Sequence, residues 1–207
     1  MRPRSLLVTG FEPFGGHPTN PSLEVAKALD GRLLGDAVVR GAVLPVHHVE
    51  AASTVVRLLD EIEPAAVVHL GLAAGRARIA LERVAVNVMD YDTPDNAGYR
   101  ARGEPCAAGG PAAYFATLPL DAILAAVLAE GIPACVSNSA GTYLCNQTMY
   151  TTLHALARRG HSCRAGFVHL PLLPAMVASS GLEQPSMDVG LMVRAIEVAL
   201  GVVARDS

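Results

Sequence analysis

Short apolar runs alternate with amphipathic segments along almost the whole 207-residue chain, and this alternation constrains the fold more than any other feature. Leu6–Thr9 is an apolar run ending at Gly10, and Ala37–Leu44, Ala65–Leu70, Ala134–Val136 and Ala165–Leu170 are others. Helical signals lie between them. Asn20 followed by Pro21 is a cap and first-turn pair. Val49–Ile62 has apolar residues at 49, 52, 55, 56, 59 and 62, one face of a helix. Leu120–Glu130 and Cys145–Arg159 are helices stopped by Gly131 and Gly160, and Ser186 is expected to cap a last helix running to Val203. Ile79–Val88 alternates like an extended arm, and 90–112, with Pro94, Pro105 and Pro111, reads as one long loop. Loops of that length inside a compact domain are usually functional or mobile. The order predicts an α/β fold with a largely parallel, doubly wound sheet and ligands at the C-terminal ends of its strands. With no repeat or linker, residues 1–207 are expected to form a single catalytic α/β domain.

Composition narrows the function classes. Trp is absent and aromatics are 4%, so aliphatic residues must fill the core, as suits parallel strands covered by helices. A net charge of -3 leaves no basic footprint for nucleic acid or an anionic membrane. Asp121 interrupts one long apolar stretch, and Arg194 with Glu197 another, so no membrane span is expected. The first residues carry too short an apolar run for a signal peptide, and a soluble, cytoplasmic protein is expected. The four cysteines, Cys106, Cys135, Cys145 and Cys163, form no Cys-x-x-Cys pair, which argues for free thiols and against zinc. No glycine-rich dinucleotide or phosphate loop, His-Glu-x-x-His or Gly-x-Ser-x-Gly elbow is present, and His47-His48 has no partner at metal spacing.

Chemistry concentrates at strand ends. Cys145 follows the small polar loop Ser137-Asn-Ser-Ala-Gly-Thr-Tyr-Leu144 where a helix begins. Unpaired N–H groups and the helix dipole there are expected to favour the thiolate. His169 ends the run Ala165-Gly-Phe-Val-His-Leu170, and Glu82 enters an extended segment. Thiol, imidazole and carboxylate together supply a nucleophile, a base and an orienting group. Each has a plainer reading. Cys145 shares a helical face with Met149, Thr152 and Leu156 and suits a small buried hydrophobe. His169 suits a core histidine, His69 has the same local setting, and Glu82 beside Arg83 suits a surface ion pair.

Several segments, read together, are similar to one family. Val8-Thr-Gly-Phe-Glu-Pro-Phe-Gly-Gly16 with Asn20-Pro-Ser22, Glu82-Arg-Val-Ala-Val-Asn87, Pro94-Asp-Asn96, Gly109-Gly-Pro-Ala-Ala-Tyr114, Ser139-Ala-Gly-Thr-Tyr-Leu-Cys-Asn146 and Gly166-Phe-Val-His-Leu-Pro171 occur in order without large insertions. The chain resembles the pyroglutamyl peptidase I (pyrrolidone-carboxylate peptidase) family of cysteine peptidases. That resemblance implies a three-layer α/β/α sandwich with a largely parallel, twisted mixed sheet, a cytoplasmic homotetramer, and no cofactor or metal. It implies removal of an N-terminal pyroglutamyl (5-oxoproline) residue from peptides through a thioacyl-enzyme, with Cys145 as nucleophile, His169 as base and Glu82 as the acidic third member. Phe11 and Phe14, from the first strand-end loop, and Tyr143 with Leu144 suit an apolar slot for the uncharged ring. By resemblance, the backbone around Leu72 and the loop near Thr93 complete it.

Two departures from the family pattern stand out. Tyr91-Asp-Thr93 occupies the place of a common Ala-Arg-Ile, and Leu72 that of a common Gln. They keep open a relative that binds pyroglutamyl ends without cleaving them. A different enzyme on a similar scaffold, such as a nucleoside phosphorylase or nucleosidase, is the other alternative; it would ignore Cys145.

Overall fold

The computed structural model describes residues 4–181 and 183–206. In chain order the elements are β1 (Arg4–Phe11), α1 (Pro21–Leu29), β2 (Leu33–Leu34), β3 (Ala37–Leu44), α2 (His48–Ile62) and β4 (Ala66–Leu72). They continue with β5 (Ile79–Glu82), β6 (Val84–Val86), β7 (Met89–Asp90), β8 (Arg102–Glu104), β9 (Ala113–Phe115) and α3 (Leu120–Ala129). The rest are β10 (Ala134–Ser137), α4 (Leu144–Arg159), β11 (Arg164–Leu170), α5 (Pro174–Ser180) and α6 (Val189–Asp206).

Seven strands form the main sheet in the order β10-β5-β11-β4-β1-β3-β2. β11, β4, β1 and β3 run parallel, and β5 runs against β11. The sheet is therefore mixed but mostly parallel. Strand β1 shows why it is central: Leu6 to Phe11 are all buried, with no alternation, so both faces are covered. One apolar cluster joins residues of α1, α3 and α6 to one face of the sheet, and a second joins α2 and α4 to the other. This is a three-layer α/β/α arrangement.

Local sequence explains most boundaries. Asn20 Oδ1 accepts from Ser22 N at 3.1 Å at the start of α1, with Pro21 at its first position. His47 Nδ1 accepts from Val49 N and Glu50 N and caps α2. The start of the last helix differs from expectation. Ser186 bridges to Leu172, and α6 begins at Val189, where Asp188 Oδ1 accepts from Gly190 N at 2.8 Å. Both side chains suit a cap; the bridge to Leu172 decides against Ser186. The Pro-rich loop is also more ordered than expected, because β7 pairs with β8 across it. Asp95 organises its middle by accepting from the backbone N–H of His48, Ala97 and Tyr99.

His69 lies fully buried on β4, with Thr9 Oγ1 2.7 Å from Nδ1 and Thr152 Oγ1 2.7 Å from Nε2. The Thr152 hydroxyl donates to Thr148 O at 2.9 Å, so it accepts from Nε2–H, and Thr9 O–H donates to Nδ1. The ring is neutral because burial pushes it from 6.5 down to about 3. The unfolded chain binds the proton below pH 6.5 and the folded chain does not, so stability is lost as pH falls from 6.5 toward 3. The expected slope is about 1.4 kcal/mol per pH unit. Urea midpoints between pH 6 and pH 4 should show that slope flattening in His69→Asn; parallel wild-type and variant curves would contradict it.

Candidate active site

The C-terminal ends of β1, β4 and β11 meet the N-terminus of α4 around a cavity of about 120 Å³. That volume suits one small ring or about four waters. Cys145 and His169 both line it, as do Phe11, Phe14, Leu72, Tyr143 and Leu144. Thr93 does not line this cavity and is exposed. Asn20, Val46 and Ala140 also line it, although their residue types gave no signal of this in the sequence.

The cysteine is held in place by close packing. It follows Leu144, the first residue of α4, whose N-cap Tyr143 supplies no side-chain hydrogen bond. Gly71 is the floor beneath the sulfur. A Cβ there would lie 2.9 Å from Cys145 Sγ and 2.7 Å from Phe167 Cζ. Gly71 is also the register partner of His169 across the β4–β11 pair, so strand register brings the imidazole to the sulfur's side of the sheet.

The thiol's surroundings oppose the thiolate that the helix start is expected to favour. Burial first, then the negative charge of Glu82, push the Cys145 thiol up to about 12, and its own backbone N–H offsets this only in part. Burial and the nearby carboxylate thus both work against the thiolate at this helix start. Attack therefore calls for a base that removes the proton in place.

A candidate for such a base lines the same cavity. His169 Nδ1 lies 2.7 Å from Glu82 Oε1, with Glu82 fully buried and His169 6% exposed. A carboxylate accepts, so Nδ1 carries the proton, and Nε2 keeps its lone pair for a donor. The two residues are 87 apart in sequence and meet because β5 runs antiparallel to β11, with Glu82 beside Phe167 and diagonal to His169. Arg76 NH1 lies 3.2 Å from the same Glu82 oxygen. Glu82 is thus no surface partner of Arg83, whose guanidinium donates to Asn138 instead.

A family model described as pyroglutamyl peptidase matches residues 4–206. The chain belongs to the pyroglutamyl peptidase family. This is a family of hydrolases. The chain is 45% identical over 204 residues to the pyrrolidone-carboxylate peptidase of Pyrococcus furiosus, covering 97% of this chain and 98% of that one. It is 46% identical over 193 residues to that of Vibrio campbellii, covering 93% and 89%. The crystal structure of pyrrolidone carboxyl peptidase from Pyrococcus furiosus matches with a TM-score of 0.95 at 44% identity, covering 98% of this chain and 99% of that one.

Within this pyroglutamyl peptidase family member, the two sequence departures fall in different places. Asp92 points outward and pairs with Arg102 at 2.7 Å, both exposed. Leu72 lines the cavity. The loop reaches the cavity through Tyr143 instead, whose hydroxyl donates to Pro94 O at 3.2 Å and whose ring meets Tyr91 edge-on at 4.6 Å. Asn146, next to the cysteine, ties the arm to α4: its amide donates to Val86 O and Val88 O and accepts from Val86 N.

Tertiary structure also gathers His47, His48 and Asp95, with ligand-capable atoms within 4.8 Å of one another. Structural hydrogen bonds occupy them. His47 Nδ1 caps α2, and His48 Nδ1 with three backbone N–H groups surrounds the Asp95 carboxylate. No helix among the described residues is long and apolar enough to cross a membrane.

Proposed function

We propose that this protein is a cysteine exopeptidase that hydrolyses the bond after an N-terminal pyroglutamyl residue through a thioacyl-enzyme. The observation that carries this reading is the buried Glu82–His169 pair, at 2.7 Å, opening with Cys145 onto one small apolar cavity. The relatives' names, pyrrolidone-carboxylate peptidase, support the substrate.

In this mechanism His169 Nε2 takes the Cys145 proton as sulfur attacks the pyroglutamyl carbonyl carbon. The C–O π electrons move to oxygen, and the unpaired N–H groups at the start of α4 stabilise the oxyanion. Collapse breaks the C–N bond, and the imidazolium proton leaves with the peptide amine. Water, deprotonated by His169, then attacks the thioester, and sulfur departs to regain the proton. Glu82 holds Nδ1–H throughout and balances the imidazolium charge. Cys145, His169 and water supply every group that forms a bond or carries a proton in these steps, so the mechanism needs no cofactor.

The cavity suits the substrate's acyl part. Pyroglutamate carries an uncharged lactam and no α-ammonium. Phe11, Phe14, Tyr143 and Leu144 supply apolar walls, and Phe14 and Tyr143 stand 6.0 Å apart between ring centroids. No carboxylate is among the lining residues, so a prolyl ammonium would be buried without a counter-ion.

Reporters carrying a pyroglutamyl or a prolyl amide test this with the reduced protein. Turnover of the first is expected to exceed that of the second by at least about 100-fold, and iodoacetamide should abolish it. Equal turnover, or none on the pyroglutamyl reporter, would count against the reading. Binding by calorimetry without product would favour a non-catalytic role.

A further inference from the structure

The residue least accounted for by the site as described is Arg76. It lies in the turn between β4 and β5, away from the cavity lining, and its guanidinium is 3.2 Å from Glu82 Oε1. That oxygen also receives His169 Nδ1–H at 2.7 Å, so one carboxylate oxygen joins the guanidinium and the imidazole, and Oε2 has no hydrogen-bond partner among the described residues. The turn is built to hold this contact. Gly75 has φ +82, a left-handed conformation that favours glycine. Arg76 N donates to Ala73 O at 3.3 Å, and Ala73 N donates to Leu170 O at 2.9 Å, next to His169. The Arg76 turn is therefore anchored to the strand that carries the proposed base.

We propose that Arg76 is a positioning residue that keeps the Glu82–His169 pair unprotonated, and so competent as a base, at mildly acidic pH. This rests on the proposed peptidase reading. The charged and titratable groups facing Glu82 are few. His169 comes from β11, Arg76 from the β4–β5 turn, and Cys145 from α4, where burial disfavours its thiolate. Its register neighbour on β10 is Ser137, which does not titrate, and Arg83 beside it is engaged with Asn138. Arg76 is thus the one permanent positive charge in contact with this carboxylate among the described residues.

The sign follows from Coulomb's law. A nearby positive charge opposes the arrival of a proton on the pair, whichever member takes it. Without it, the pair protonates at higher pH, and the base is lost sooner on acidification. Arg76 is 37% exposed, so solvent screens part of the effect. The expected displacement is about one pH unit, the low end for a carboxylate beside arginine.

The experiment compares full pH profiles of kcat/KM on a pyroglutamyl reporter for wild type, Arg76→Gln and Arg76→Lys. In Arg76→Gln the acid limb should move up by about one pH unit, lowering turnover about tenfold there, while the alkaline plateau stays within about threefold. Arg76→Lys should restore most of the limb. A limb that stays in place, or that moves equally far in both variants, overturns the proposal. An NMR titration of the His169 Cε1–H signal, assigned by its loss in His169→Gln, reads the same displacement without any substrate. Wild type that fails to turn over the reporter refutes the peptidase reading. An unmoved His169 midpoint in Arg76→Gln refutes the role of Arg76 independently.

Discussion

Cys145→Ala is expected to lower turnover of a pyroglutamyl reporter by at least about 10⁴-fold, because losing the nucleophile of a covalent mechanism leaves only binding and oxyanion stabilisation. The fold should survive. The substitution removes one sulfur from a partly buried position at the start of α4, and the α4 hydrogen bonds made by Asn146 and Gln147 do not involve it. The melting temperature should stay within a few degrees. Cys135→Ala serves as a control, since Cys135 lies on β10, paired with β5, and does not line the cavity. Residual activity above a few per cent in Cys145→Ala, or a comparable loss in Cys135→Ala, would rule out Cys145 as the nucleophile.

Gly71→Ala should produce the second-largest effect, and it acts on stability and rate together. The new methyl would lie 2.7 Å from Phe167 Cζ, 2.9 Å from Phe167 Cε1 and 2.9 Å from Cys145 Sγ. The backbone there has no left-handed conformation, so space alone is at issue. Phe167 is fully buried beneath the site and its ring lies tilted against His169, centroids 4.8 Å apart, which leaves it little room to retreat. Overpacking of this kind costs about 1–3 kcal/mol. The sulfur is the freer neighbour, and a displacement of about 1 Å is enough to lower rate about 100-fold. Urea midpoints and kcat/KM measured on the same preparation check both halves. A variant with wild-type rate would mean that the sulfur has more freedom than its contacts imply.

Most of the elements were legible because their signals are local. The Ala37–Leu44 strand, the Asn20–Pro21 helix start and the Gly160 stop each depend on residues within a turn or two. Where the reading missed, a distant partner decided. Ser186 was diverted by its bridge to Leu172, and the short helix α5 (Pro174–Ser180) went unread, too brief to show a period. The cavity lining was legible for Phe11 and Phe14, whose Gly- and Pro-rich loop marks them out, and for Tyr143 and Leu144 beside the cysteine. Val46 and Ala140 carry no such mark, and Asn20 read only as a helix cap.

His69 and His169 show where the division lies. Each follows a valine and precedes a leucine near the end of a buried strand, and neighbouring residues cannot separate them. In the fold, one meets two threonine hydroxyls and stays neutral in the core, and the other meets a buried carboxylate beside the cavity. The chain alone determined the α/β order, most of the helix ends and a cysteine in a loop-to-helix setting, since periodicity and capping act over a few residues. Family resemblance pointed to His169, and the tertiary structure decided that the buried carboxylate meets it, that Arg76 joins them, and that burial weighs against the thiolate. Those outcomes depend on strand register across tens of residues and on desolvation, a property of the assembled interior.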